Sequence, residues 1–271
     1  MVKFLHWLEN TIGKEEISEI SAADRLAAFR EEGEHLAGLS FETIAGYAAH
    51  GAIVHYGATP ESDVPLKPEG IFLIDSGGQY LEGTTDITRT VPLGNPTNEQ
   101  KNRYTRVLQG HIALAAAQFP AGTTGPALDT LARKPLWDEG LNYMHGTGHG
   151  VGAYLGVHEG PQGISYYRGH GVAMLPGMVT SNEPGFYKEG EYGIRIENLI
   201  VVEEVPGTDG AFLRFKTITW CPIDVKLIDK NLLTKREKKW LDDYHQTVWE
   251  KISPLVSGEV KNWLSEATAA L

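Results

Sequence analysis

Residues 71–92 read IFLIDSGGQYLEGTTDITRTVP, and this stretch decides the fold. Ile71–Asp75 is a short apolar run bounded by Gly70 and Gly77–Gly78, which predicts a strand entering a hairpin. Gln79–Val91 follows, rich in threonine and alternating from Thr84 onward. As a strand it would carry Thr84, Asp86, Thr88 and Thr90 on one face, with Ile87 and Val91 on the other. Asp75 ends the first run and Asp86 interrupts the second, so a hairpin can set two carboxylates side by side. Like charges that close repel unless a cation joins them or one takes a proton. Taken alone the pair is open: Asp75 could be a turn residue, and Asp86 could bond its flanking threonines.

Outward from the hairpin, strands alternate with amphipathic helices. Upstream, Ser21 and Asp24 have the spacing of a capping box, with Leu26 and Phe29 on one face and Gly33 as a stop. Downstream, Asn95–Phe119 predicts the clearest helix, capped by Thr97 and Gln100. His111 lies on its apolar stripe, where a core histidine is expected before a ligand. A helix over about 127–139 is interrupted by Pro135. His145–Gly152 (HGTGHGVG) has glycine at every second position from 146 and cannot be a stable helix, so His145 and His149 are not a helix-face pair. Strands are expected at Met178–Pro184, Tyr192–Glu204 and Phe212–Trp220, and a final helix is capped by Thr234 and Glu237. The expected class is α+β with mostly antiparallel sheet. Without a linker, residues 1–271 are expected to form a single domain that includes the helical tail.

Composition narrows the function. The chain has 271 residues, a formal net charge of −11 and one cysteine, Cys221. The acidic balance argues against a partner that tracks nucleic-acid phosphates. A single cysteine excludes an internal disulfide framework and a multi-cysteine metal site, which fits a reducing compartment. No stretch reaches the length of a membrane span, and the N-terminal text lacks the apolar core of a signal peptide. The expectation is a cytoplasmic protein with no membrane partner.

Glu183 and Glu197 form a second carboxylate pair, 14 residues apart, in otherwise apolar strands. Arg195 shares a strand face with Glu197, so a buried ion pair is an open reading there. His149 adds an imidazole on backbone that can approach a ligand closely. Four carboxylates and one histidine, without thiolate, suit two bridged divalent cations: Mn²⁺ first, with Co²⁺ or Zn²⁺ as substitutes. Such a pair can polarise a carbonyl and activate water.

The runs AIVHYGATPES, IDSGGQYLEGTTDITRTVPLG, HGTGHGVGAYLGVHEGP and SNEPGFYKEGEYGIRIEN, in this order, resemble the catalytic domain of the Xaa-Pro aminopeptidases (aminopeptidase P). The resemblance spans nearly the whole chain. It implies a pita-bread fold, with a curved, mostly antiparallel sheet and covering helices, and a binuclear metallopeptidase that usually uses Mn²⁺. It places the metal ligands on Asp75, Asp86, His149, Glu183 and Glu197. By that correspondence Asp86 and Glu197 bridge, Asp75 completes one metal, and His149 with Glu183 completes the other. His55, His145 and His158 fall on positions that line the substrate site, and Arg195 on one that supports the metal carboxylates. The implied activity removes the first residue from peptides whose second residue is proline, by hydroxide attack activated by the two metals. Glu183 then relays a proton and His158 stabilises the oxyanion.

The additional N-terminal domains of full-length relatives are absent from this sequence. A prolidase-like dipeptidase or a methionine aminopeptidase would share the fold. The Glu183–Glu197 spacing and the VHEGP run favour the aminopeptidase P branch. A protein-binding module of the same fold would lack the five ligands. Trp220, Trp240, Trp249 and Trp263 place four of the six tryptophans in the last 52 residues, where they either pack within the domain or line an interface. Relatives of this type commonly pair through the catalytic domain, so the resemblance tips the reading toward a homodimer.

Overall fold

A computed structural model describes residues 1–167 and 171–271. Helices α1 (Val2–Thr11) and α2 (Glu19–Glu31) precede strands β1 (Leu36–Leu39) and β2 (Ile44–Tyr47) and a short 3-10 turn, Ala48–Ala52. The hairpin region holds β3 (Ile71–Ser76), β4 (Gly78–Tyr80), β5 (Gly83–Thr84) and β6 (Ile87–Pro92). Then come α3 (Asn98–Ala115), β7 (Gln118–Pro120), α4 (Gly125–Trp137), β8 (Gly148–His149) and β9 (Gly163–Ile164). The last part contains β10 (Val179–Asn182), β11 (Gly185–Lys188), β12 (Tyr192–Arg195), β13 (Asn198–Glu204), β14 (Phe212–Thr217), α5 (Lys235–Ile252) and α6 (Gly258–Ala267).

All named strand pairs are antiparallel, as the α+β reading expects. Strand β3 is buried along its whole length and lies between β2 and β6. Its register sets Asp75 opposite Thr88 and Ser76 opposite Ile87. The strand expected over Gln79–Val91 is broken. β4 and β5 leave the first sheet to pair with β1, and Thr85–Asp86 falls between β5 and β6. The crossing is tight: a Cβ at Gly77 would stand 2.0 Å from the Thr85 carbonyl oxygen. Asp86 therefore leaves the alternating face and lies past the Asp75–Thr88 pair.

The strand expected over Tyr192–Glu204 is also broken, at Ile196–Glu197. There the Glu197 N–H donates to the Thr88 carbonyl (3.1 Å), and the Glu197 carbonyl accepts from Arg89 Nη1 (2.6 Å). Backbone groups that must be paired are thus paired with β6 rather than along their own strand. A four-stranded sheet, β10-β13-β14-β7, packs against α3, and Leu128 and Ala132 of α4 join the same core cluster.

Two helix ends differ from expectation. Helix α2 is capped by Ser18 and Ser21, which exchange side-chain bonds with each other's backbone N–H, so Ser21 is not the cap and Asp24 lies inside the helix. Helix α3 stops at Ala115, and Phe119 instead joins β7, because Pro120 disfavours a helical conformation in the residue before it. The Thr97–Gln100 and Thr234–Glu237 boxes form as expected.

Helix α5 buries Leu241, Tyr244 and Val248. The C-terminal tryptophans find partners within the chain. Trp240 and Trp220 stack on Tyr244, and Trp263 Nε1 donates to Glu9 on α1 (2.9 Å). Lys261 lies over the Trp249 ring.

Candidate metal centre

Five segments converge. The end of β3 supplies Asp75, and the turn before β6 supplies Asp86. The extended segment at β8 supplies His149, the connection between β10 and β11 supplies Glu183, and the β12–β13 break supplies Glu197. His149 Nε2 lies 3.4 Å from Asp86 Oδ2 and 3.3 Å from Glu183 Oε1. Ligand-type atoms of Asp86, His149 and Glu197 all fall within 4.8 Å of one another. Glycine makes the approach of His149 feasible: a Cβ at Gly148 would stand 2.0 Å from the Ser181 carbonyl oxygen.

Hydrogen bonds fix these candidate ligands from behind. His149 Nδ1 donates to the Gly150 carbonyl (3.0 Å), which leaves the Nε2 lone pair facing the carboxylates. Ser181 Oγ donates to Glu183 Oε1 (2.9 Å), and Thr88 Oγ1 donates to Glu197 Oε2 (2.7 Å). Arg195 Nη2 donates to Asp75 Oδ2 (2.8 Å), its Nε to Thr88 Oγ1 (3.2 Å) and its Nη1 to the Tyr187 hydroxyl (2.7 Å). The buried ion pair left open between Arg195 and Glu197 is not what forms: the guanidinium pairs with Asp75 instead.

The arrangement is rich in acceptors. Asp75 Oδ1 and Asp86 Oδ1 are buried without a hydrogen-bond partner. Burial, followed by repulsion from Asp75, pushes the Asp86 carboxyl well above its ordinary range. Burial and then Asp86 do the same to Glu197, and burial also raises Glu183. Converging carboxylates, an imidazole lone pair and two orphaned oxygens call for positive charge at their centre, so the donor set fits divalent cations.

The three further histidines occupy different situations. His158 is exposed and sets its ring edge-on to His149, 4.2 Å between centroids. His55 is exposed on the segment after the 3-10 turn, close enough to His145 to lower its pKa. His145 has both ring nitrogens engaged. Nδ1 donates to the Gly146 carbonyl (2.7 Å), and Nε2 accepts from the Tyr187 hydroxyl (2.9 Å). Burial brings its pKa down to about 3, so the ring is neutral. A chain of donors therefore runs from Arg195 through Tyr187 to His145.

The sequence reading leaves out three buried clusters that hold the centre. Arg89, fully buried, donates to the Thr88 and Glu197 carbonyls and to Asn198 Oδ1, and reaches Pro222, Cys221 and Tyr244 beyond. Its signal was present: an arginine on the apolar face shared by Ile87 and Val91. Arg133 bonds Asp129 (2.7 Å) and the Tyr143 and His145 carbonyls, and so sets the glycine-rich segment in place. Glu19, fully buried, accepts from the Tyr47 N–H, His50 Nδ1 and the Tyr56 hydroxyl, and so braces the segment that carries His55. His111 is the expected core histidine, bonded to the Asn182 carbonyl and to Asn198.

Comparison with known proteins follows this geometry. The sequence matches the metallopeptidase family M24 over residues 1–204 and the C-terminal region of that family over residues 211–271. It is 47% identical to a probable Xaa-Pro aminopeptidase P of Laccaria bicolor, over all of this chain and 44% of that protein. The structure resembles an X-prolyl aminopeptidase of Caenorhabditis elegans, described as a cytosolic enzyme with a di-nuclear active site. The TM-score is 0.93 and the identity 41%, over all of this chain and 45% of that one. A prolidase of Pyrococcus furiosus superimposes with a TM-score of 0.68 at 28% identity, over 80% of this chain and 59% of that one. The chain thus spans less than half the length of the first two. No described helix is long and apolar enough to cross a membrane. With its pita-bread architecture and a family match along nearly its whole length, the chain belongs to metallopeptidase family M24.

Proposed function

We propose that residues 1–271 form the catalytic unit of an Xaa-Pro aminopeptidase, which removes the first residue from peptides with proline second. The observation that carries this reading is the meeting of His149 Nε2 with Asp86 and Glu183 at 3.3–3.4 Å, beside Glu197 and the Arg195-held Asp75. The 47% identity to an aminopeptidase P supports the substrate class. Asp75, Asp86, His149, Glu183 and Glu197 would hold two divalent cations, with Asp86 and Glu197 shared between them. An oxygen-rich set with one imidazole favours Mn²⁺, with Co²⁺ or Zn²⁺ able to replace it. When bound, the two cations supply Lewis-acid polarisation of the scissile carbonyl and ready ionisation of water.

The protein groups then divide the remaining work. Glu183 has a carboxyl raised by burial, is held on one oxygen by Ser181, and is the half-buried carboxylate of the cluster. It takes the proton of the attacking water and passes it toward the proline nitrogen. That proton is needed because an X–Pro amide nitrogen carries no hydrogen and leaves only when protonated. His158, edge-on to His149, offers its imidazole to the oxyanion. His55 orients the peptide at the open side. His145 acts through Tyr187 and Arg195, which keep Asp75 in place.

The worm enzyme described as cytosolic and the lone buried cysteine support residence in the cytoplasm. The tryptophans of the C-terminal segment are engaged within the chain but stay half-buried, so a homodimer through these helices is decided by the mass in solution. A dipeptidase is the second reading, supported by the likeness to the Pyrococcus furiosus prolidase. Hydrolysis of Arg-Pro-Pro, Gly-Pro and Met-Ala-Ser, with and without Mn²⁺, tests the assignment. Release of arginine that depends on Mn²⁺ is expected. Cleavage of Gly-Pro alone would transfer the chain to the dipeptidases.

A further inference from the structure

The β4–β5 hairpin presents two donors to one oxygen. Gln79 and Thr84 are direct cross-strand partners. Gln79 Nε2 donates to the Leu155 carbonyl at 2.8 Å, and Thr84 Oγ1 donates to the same carbonyl at 2.9 Å. A carbonyl oxygen has two lone pairs, so this one is fully used. Both bonds cross more than seventy residues of sequence and end on a loop without regular structure.

The hairpin holds that loop at the Leu155 carbonyl. Tyr154 and Leu155 are 45% and 60% exposed, so apolar burial contributes little there. Tyr154 sits at φ 56°, a left-handed conformation that a non-glycine residue adopts only when its surroundings impose it. Internal bonds shape the loop: the Gly152 N–H donates to the Gly156 carbonyl (3.0 Å), and the Gly156 N–H to Glu159 Oε2 (3.0 Å). They do not tie it to the β4–β5 hairpin that leads into Asp86, whereas the Leu155 carbonyl does. His158, three residues on, stands against the His149 ring.

We propose that Gln79 and Thr84 are positioning residues for the reaction, pinning the 152–158 loop so that His158 faces the metal centre. The inference rests on the aminopeptidase reading above. It assigns the hairpin, rather than any group at the centre, the task of placing the oxyanion donor. A misplacement of about 1 Å in such a group can cost on the order of 10² in rate.

The test uses the full chain loaded with Mn²⁺ and an Arg-Pro-Pro substrate. Thr84→Val with Gln79→Met removes both donors at nearly constant shape. The expected result is a loss in kcat of about ten- to a hundred-fold, KM and metal stoichiometry near those of the unaltered protein, and recovery in Thr84→Ser. Amide exchange over 154–157 should quicken in the double variant even without metal. In a His158→Ala background the double variant should cost nothing further. Additive losses in that background, unchanged amide exchange, or loss of metal would each overturn the positioning role. If the unaltered chain cleaves and the losses are additive, only this proposal falls. If the unaltered chain leaves X–Pro peptides intact, the aminopeptidase reading falls and takes the proposal with it.

Discussion

Arg195 Nη2 lies 2.8 Å from Asp75 Oδ2, with both residues buried, and this contact settles how one cation of the protein is spent among several carboxylates. The guanidinium also bonds Thr88 and Tyr187, so it fixes a geometry as well as a charge. Lysine would keep the charge and lose the fork. Arg195→Lys should therefore lower metal affinity by roughly 10–100-fold, the usual cost of losing a group that orients a ligand. Titration of Mn²⁺ into the metal-free variant checks this, and unchanged affinity would show that Asp75 is oriented by its strand alone.

Among the proposed ligands, Asp86 has the most to lose. It is buried, one of its oxygens has no hydrogen-bond partner, and it touches both His149 and the Glu197 neighbourhood. Asp86→Ala should abolish the binding of both cations, where Asp75→Ala should spare one. Metal counts by atomic spectroscopy separate the two, and two equivalents retained in Asp86→Ala would remove it from the ligand set.

Arg133 and Asp129 are both fully buried and bonded at 2.7 Å. Replacing Arg133 with Met strands a carboxylate in the interior, which costs about 3–5 kcal/mol. It also frees the Tyr143 and His145 carbonyls. Urea denaturation should show the drop, and a midpoint near that of the unaltered chain would mean the glycine-rich segment is held by other contacts.

Acid stability follows from two core histidines. Burial holds His111 at a pKa of about 3 and His245 at about 4, and the Nε2 atom of His245 accepts from the Ile223 N–H. An unfolded histidine titrates near pH 6.5. Below that pH the unfolded chain takes protons that the folded chain refuses, so the stability of the neutral form is full above about 6.5 and lost as pH falls toward 4 and 3. His245→Gln can still accept from Ile223 but does not titrate. The fall in urea midpoint between pH 7 and pH 5 should be smaller in this variant, measured on metal-free protein so that metal release does not contribute. An equal fall would exclude His245 as a source.

How much of this was legible depended on whether a residue acts locally. Thr97 with Gln100 and Thr234 with Glu237 cap helices three residues away, and both formed as read. Ser21 misled because Ser18 stands at the same spacing on its other side. The hairpin was readable from IFLID, but its break at Thr85–Asp86 was not, since it depends on β1 capturing β4. At the centre, side chains of ligand type announced themselves as polar residues in apolar strands. The groups behind them did not. Arg133, Glu19 and Gln79 carry ordinary surface-type side chains, and only long-range packing reveals that two are buried and one reaches across the fold.

Arg89 joins the Glu197 backbone to Tyr244 on α5 and to the carbonyls of Cys221 and Pro222. The segment matched by the C-terminal family region is thereby clamped to the floor of the centre. Under thermodynamic linkage, whatever tightens one end must tighten the other by the same free energy. Filling the centre should then slow proteolytic nicking around residues 220–250, and loosening α5 should weaken metal retention with every ligand intact. The C-terminal helices, which carry none of the proposed ligands, would in this sense be part of the instrument that sets how firmly the proposed cations are kept.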